Sequence, residues 1–578
     1  MNRCLNRIKW HGVFACLALL CGVLMAGGCG REEQAKAPGP ASAKVSKKVA
    51  GPPTRALLGL MPDEAAAALA VPNFSDPYLT VLGLWEHAQT DAAAFHETVR
   101  ASAREWAAAW DIEADTENHL DVLRAVGIDV DAPAALFIDA ESFGARVESA
   151  KHQESGLDAP DVAGEKRPPR VDAGEMPLGA AIIHCTDVKR VEEALPGLVS
   201  RAFGRPVNGE SVEIDGLPMQ RLSPVPFWYL FDGKRLIFGT RPTFAAAVMR
   251  KQDAPASVRY GTAECPAESD REIVALARLA QIHELEHAAH GGNRGTGSVV
   301  GLLSQLLPGD AKESGPISDD PLVATLTLEE NRVALRARLD VKEHPALLEL
   351  WGTPPRIDYL GMMPETTKGV LSLGLTPEWK ALVIEGIQEN SPDNSTASAL
   401  AETLLNAMGD EITLAVTGTR DDLPVFVLLA EITQPDLFKG VVQLSGGKLV
   451  AVDEGAGDGI MRLDIPMDLP TPVFATIGQD HLFVANDLEL LREIDATQKS
   501  GAPSRFLGTF APPVDPEAER YSLFLLSESG IAEVLSPLLL DPSVREQYGP
   551  ALTMLRELRA SQELDGSWQT TSVDLFLN

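Results

Sequence analysis

Cysteine is scarce in this chain of 578 residues, and positive charge is outnumbered by negative. Six cysteines occur, and four of them (Cys4, Cys16, Cys21 and Cys29) fall at the start. Only Cys185 and Cys265 remain for the body. An oxidising compartment would let them pair, and their spacing leaves open whether they do. Lys and Arg total 50 against 82 Asp and Glu, a formal charge of −32. Three basic residues lie in the leader and a surplus of four lies in 30–55, so the rest of the chain stands at about −39. A body this acidic excludes nucleic-acid binding, which needs Lys and Arg to neutralise phosphates. It also keeps the body from lying flat on an anionic membrane. No G-x-S-x-G elbow is present. Gly440 to Lys448 lacks a phosphate-loop pattern, because Val442 stands in place of the first glycine and Leu449 follows the lysine. The Gly-rich run Gly291 to Gly297 follows a helical pattern rather than opening one, so no helix N-terminus is on offer to an anion. Regular βαβ alternation is missing as well, which argues against a doubly wound fold.

What the chain does have begins at residue 1. Arg3, Arg7 and Lys9 precede an apolar run from Val13 to Met25, too short to span a bilayer comfortably. The run ends in Ala26-Gly27-Gly28-Cys29, which resembles a lipobox with Ala26 in the place usually held by leucine. The expectation is a lipoprotein signal over 1–28 and lipidation of Cys29. A stable anchor takes more than one acyl chain, and a triacylated cysteine satisfies that. Gly30, not aspartate, follows Cys29, which points to the outer membrane, facing the periplasm. Residues 29–54 read as a flexible tether rich in Ala, Pro, Gly, Ser and Lys, spanning roughly 25–30 Å r.m.s..

The body, 55–578, reads as two copies of one unit. Leu58-Gly59-Leu60-Met61-Pro62-Asp63 recurs as Leu360-Gly361-Met362-Met363-Pro364-Glu365. Leu123-Arg124-Ala125-Val126-Gly127 is answered by Leu405-Asn406-Ala407-Met408-Gly409. Expected strands pair off in order: Ala67 to Val71 with Gly369 to Leu373, Ala134 to Ile138 with Ile412 to Val416, and Ala180 to His184 with Val425 to Ala430. The hairpin Phe227 to Gly239, turning at Asp232-Gly233 through a type I′ turn, matches Val473 to Asn486. Glu272 to Leu276 matches Tyr521 to Leu526. Alternating strands close the units, Ala324 to Leu339 and Trp568 to Leu577; Leu335, Ala337 and Leu339 are expected inside, Arg336 and Arg338 outside. The units are placed at 55–345 and 356–578, the first longer by surface insertions at Lys151 to Glu175 and Gly291 to Asp319. Hairpins mixed with helices predict an α+β class with largely antiparallel sheets and packed helices.

The repeated Leu-Gly-x-Met-Pro-acidic opening, the Leu-x-x-x-Gly segment and the late hairpin resemble a family of bacterial envelope lipoproteins defined as a domain of unknown function. The likeness covers most of 55–578. It implies envelope location and repeated architecture, and it implies no activity and no functional residues.

One stretch bears on chemistry. His283-Glu284-Leu285-Glu286-His287 matches H-E-x-x-H, in which two histidines a helical turn apart hold zinc and the glutamate acts as general base. His283 and His287 are thus candidate zinc ligands and Glu284 the candidate catalytic residue. Against this, Glu286 is charged, and His290 stands where a metzincin needs glycine. The matching helix of the second unit, Glu528 to Leu540, has no histidine. The face Leu279, Ile282, Leu285 and Ala289 favours a boundary helix with the histidines on its flank. No other cofactor is indicated. The expectation is a non-enzymatic, bilayer-anchored envelope protein that binds or scaffolds, with an unidentified envelope protein as a possible partner. The alternatives are a zinc-dependent hydrolase and a carrier of an apolar ligand.

Overall fold

The computed structural model describes residues 57–62, 65–87, 92–113, 116–139, 179–202, 205–253, 272–278, 321–329, 331–340, 359–377, 380–381, 384, 395–420, 423–444, 448–452, 459–464, 471–500, 506–510, 513–514, 520–535, 554–565 and 568–578. The expected leader, tether and two insertions lie outside these residues. The described chain is α+β with extensive antiparallel sheet. It divides into two compact units at Glu330/Asn331.

The first unit contains β1 (Ala65–Val71), α1 (Ser75–His87), α2 (Ala92–Ala109), α3 (His119–Val126), β2 (Ala134–Asp139) and β3 (Gly179–His184). It continues through α4 (Val188–Ala202), β4 (Asn208–Ile214), β5 (Leu217–Ser223), β6 (Trp228–Asp232), β7 (Arg235–Gly239), α5 (Pro242–Asp253), β8 (Ile273–Arg278) and β9 (Pro321–Glu329). Its strands lie in the order β4-β5-β6-β7-β3-β2-β1-β8-β9, every neighbour antiparallel. Alternation sorts the side chains of this sheet. Ala68, Ala70, Phe137, Ile182 and Ile237 join Phe244 and Val248 of α5 in one core.

The second unit contains β10 (Arg332–Asp340), β11 (Gly369–Gly374), α6 (Ser395–Ala407), β12 (Met408–Arg420), β13 (Leu423–Ile432), α7 (Pro435–Leu444) and β14 (Lys448–Ala451). There follow β15 (Ile460–Asp464), β16 (Val473–Ile477), β17 (His481–Ala485), α8 (Leu488–Ser500), β18 (Ser522–Leu526), β19 (Leu555–Asp565) and β20 (Trp568–Leu577). The strand order is β14-β15-β16-β17-β13-β12-β11-β18-β19-β20-β10, again antiparallel throughout. Adding ten to each label of the first order reproduces the second as far as β19. The core here gathers Val370, Ala415, Val427, Leu429, Phe483 and Leu525 under Leu491 and Ile494 of α8.

The repeated Leu-Gly-x-Met-Pro segments have a packing cause. Leu58 and Met61, like Leu360 and Met363, are buried in their own cores. In each, the Met amide donates to the Leu carbonyl three residues back. The Pro carbonyl then accepts from the residue three ahead, Ala65 in one unit and Thr367 in the other. The turn thus inserts two apolar side chains and releases the chain into the next strand.

Three expectations change. The alternating stretch Ala324 to Leu339 is two strands, β9 and β10, with Asn331 a turn residue at the start of the second. β10 therefore groups with the second unit, where it pairs along its length with β20, whereas the sequence placed it at the end of a first unit reaching 345. At the β6–β7 turn Gly233 has φ 58° and no non-Gly residue there is left-handed, the pattern of a II′ rather than a I′ turn. The I′ pattern stands instead at Asp215 (φ 53°) and Gly216 (φ 81°), between β4 and β5.

Leu58→Ala and Leu360→Ala should each cost about 2–5 kcal/mol, the usual range for emptying a fully buried leucine site. Urea unfolding checks this; a loss well under 1 kcal/mol at either position would contradict the plug role.

Candidate functional site

Cys29, His283, Glu284, His287 and Cys265 lie outside the described residues. Cys185 is a free, buried thiol, and burial pushes its pKa up to about 11, so it is poorly nucleophilic at neutral pH. Among the described residues no three His, Cys, Asp or Glu side chains are grouped to hold a metal ion. No described helix is long and apolar enough to cross a membrane.

One histidine has catalytic-looking partners. His119 is the first residue of α3, behind the N-cap Asn118. Its Nδ1 lies 2.9 Å from the Tyr78 hydroxyl of α1, and its Nε2 lies 3.1 Å from Ser102 Oγ of α2. The Trp106 ring meets it edge-on at 4.6 Å. Burial lowers its pKa to about 4, so the imidazole is neutral at physiological pH and could accept a serine proton. The backbone argues the other way. Ser102 sits in the middle of α2, where neighbouring amides are committed to helix bonds and supply no oxyanion donors. The group is a polar tie among three helices.

A second feature extends much further. Residues opposite one another in an antiparallel ladder share a face. In the second unit one row reads Leu335, Val573, Ala560, Phe524, Leu371, Leu414 and Leu428 across β10, β20, β19, β18, β11, β12 and β13. The adjacent row on the same face reads Val333, Leu575, Leu558, Leu526, Gly369, Val416 and Phe426. Both rows are apolar at every position. Burial accounts for only two of them, Leu526 and Gly369 in the second row. Leu335 is 43% exposed and Leu414 39% exposed, and Leu371, Phe524, Val573 and Leu428 are only half-buried. The expectation that Leu335 points inside is thus corrected: the apolar side of β10 belongs to an open face.

The reverse face explains why. From β13 to β18 it carries Val427, Ala415, Val370 and Leu525 beneath the α8 layer. Beyond β18 the same side turns polar. Arg559 reaches Glu557 at 2.6 Å, Arg332 reaches Asp574 at 2.6 Å, and the Arg559 guanidinium lies 4.6 Å from the Phe576 ring centre. Strands β19, β20 and β10 therefore have a charged side where a core would be and an apolar side on the open face. At the other end of that face α7 stands over it: Phe438 packs with Ile432, Leu482, Ala475 and Val484. The result is an apolar floor with α7 over one end and the helical turns Glu528–Gly530 and Ile531–Leu535 against the middle of its second row, where a Cβ on Gly530 would come within 3.3 Å of the Leu526 side chain. In the first unit the corresponding row is Leu136, Leu69, Ala275 and Ala324, apolar but built of smaller side chains.

Sequence reasoning missed this floor because β19, which supplies Leu558 and Ala560, was not expected. The signal was present in the sequence Asp565-Gly566-Ser567-Trp568, a hairpin pattern, and Asp565 pairs with Trp568. No family model, no curated protein and no solved structure matches this chain.

The His119 tie gives a pH prediction. Its folded pKa lies below the unfolded value, so the unfolded chain binds more protons between pH 6.5 and about 4. The neutral form's advantage is full above pH 6.5 and lost as pH falls toward 4, up to about 3 kcal/mol. Urea unfolding of wild type and His119→Gln at pH 4.5 and 7 should show a smaller pH difference in the variant; an unchanged difference would refute the assignment.

Proposed function

We propose that this chain is a lipid-anchored protein of the bacterial cell envelope that works by binding rather than catalysis. Its anchor is Cys29, its place the outer membrane facing the periplasm, and its body two copies of one α+β unit. The duplication is supported by the matching strand orders and by the same two turns around Pro62 and Pro364. The lipobox-like leader supports the address.

The observation that carries binding is the open apolar face of the second unit. Twelve of the fourteen apolar ladder positions are partly or well exposed, six of them on strands whose reverse side is charged, and an apolar occupant would offset that exposure. At ~25 cal/mol per Å² of apolar surface covered, burying even a few hundred Å² would contribute several kcal/mol of attraction.

Two measurements test this reading. Cys29→Ser should abolish incorporation of labelled palmitate and remove the protein from the outer-membrane fraction; palmitate label retained in the variant contradicts the anchor. A solvatochromic apolar dye such as Nile red should bind the mature chain. Leu414→Glu and Val573→Glu should each weaken it at least tenfold with far-UV circular dichroism unchanged. Dye binding indifferent to both substitutions would contradict the role of the face.

A further inference from the structure

We infer that the occupant of the open face in the second unit is the alkyl chain of a membrane lipid; this rests on the binding reading above and names its ligand class. The first argument is the chemistry of the floor. Its two rows offer no charge and no side-chain hydrogen bond, and the backbone beneath is paired within the ladder from β13 to β10. A protein partner would leave its own polar groups unmatched here, since protein interfaces carry about one hydrogen bond per 100–200 Å². An alkyl chain has no polar group to leave unmatched.

The second argument is shape. Seven strands at about 4.8 Å spacing make a strip roughly 30 Å long. The first row is accessible along its whole length whereas the second is covered at Leu526 and Gly369, which leaves a width of about one alkyl chain. One leaflet's acyl chain spans about half of a ~30 Å hydrocarbon core, so it fits within the strip. The flanking row is uncharged but can hydrogen-bond: Ser522, Gln562 and Thr571 pair across β18, β19 and β20 beside the floor. The third argument is charge. The body carries about −39, which opposes laying this face onto an anionic bilayer and leaves single lipid molecules as the form in which an alkyl chain would reach it. No cation stands in the two rows, so the chain and not the headgroup sets affinity.

The test uses the delipidated mature chain with Cys29 replaced by serine, and displacement of Nile red by 1-alkanols and fatty acids of 10 to 16 carbons. Affinity should rise by about fourfold per methylene, the fold-change given by ~0.8 kcal/mol per buried CH₂. 1-Hexadecanol and palmitate should compete within about threefold of each other. Leu371→Glu should abolish displacement, whereas Arg336→Glu on the reverse side should leave it intact. If the dye binds through the floor but neither series displaces it, or affinity is flat with chain length, the lipid inference fails and the binding reading stands. If the dye does not use the floor, both fail.

Discussion

The antiparallel ladder from β13 to β10 decides which side of the second unit's sheet each side chain occupies. Because successive residues alternate faces, one register assigns Leu371 and Leu414 to the open side and Val370 and Ala415 to the core. A slip of one residue would exchange them, exposing the α8 contacts and driving Arg559 and Asp574 onto the apolar side. The register is held from the reverse side. Leu491 and Ile494 pack on the core face, and the Arg332–Asp574 pair ties β10 to β20. The floor is therefore a consequence of the ladder and cannot be varied independently of the core.

The buried polar groups serve the same geometry. Glu411 is buried beneath the Leu360 turn; it accepts from the Tyr359 amide at 3.1 Å and from the Thr413 hydroxyl at 3.0 Å. Thr413 in turn meets Ser372 at 2.6 Å across the β11–β12 pair. Removing one member would leave a buried polar atom unmatched, at a cost of about 1–3 kcal/mol. In the first unit Gly127 does a comparable job with backbone alone. Its left-handed conformation (φ 102°) ends α3, and a Cβ there would come within 2.8 Å of the Asp187 carbonyl.

Much of this architecture was legible in the sequence. Apolar runs of five or six residues bounded by turn residues located β1, β2, β3, β11 and β18 to within two residues, because periodicity and punctuation agreed there. The opening motif was legible because it repeats. β4, β5, β14 and β15 were not, since their exposed polar residues (Glu210, Glu213, Lys448, Arg462) dilute the alternation that betrays a strand. The floor was hidden for another reason. A row runs across seven strands, up to some 240 residues apart in sequence, and only pairing assembles it. The His283 segment and Cys29 were legible as motifs, and their geometry lies outside the described residues.

The account depends on the floor being open to apolar occupants, and the labelling rate of a single thiol placed on it measures that directly. In the mature chain with Cys29, Cys185 and Cys265 replaced, Leu371→Cys should react with a maleimide under native conditions and be protected when 1-hexadecanol is added. A thiol at 371 that stays unlabelled until the chain is unfolded would show that the face is already covered, and would contradict the account.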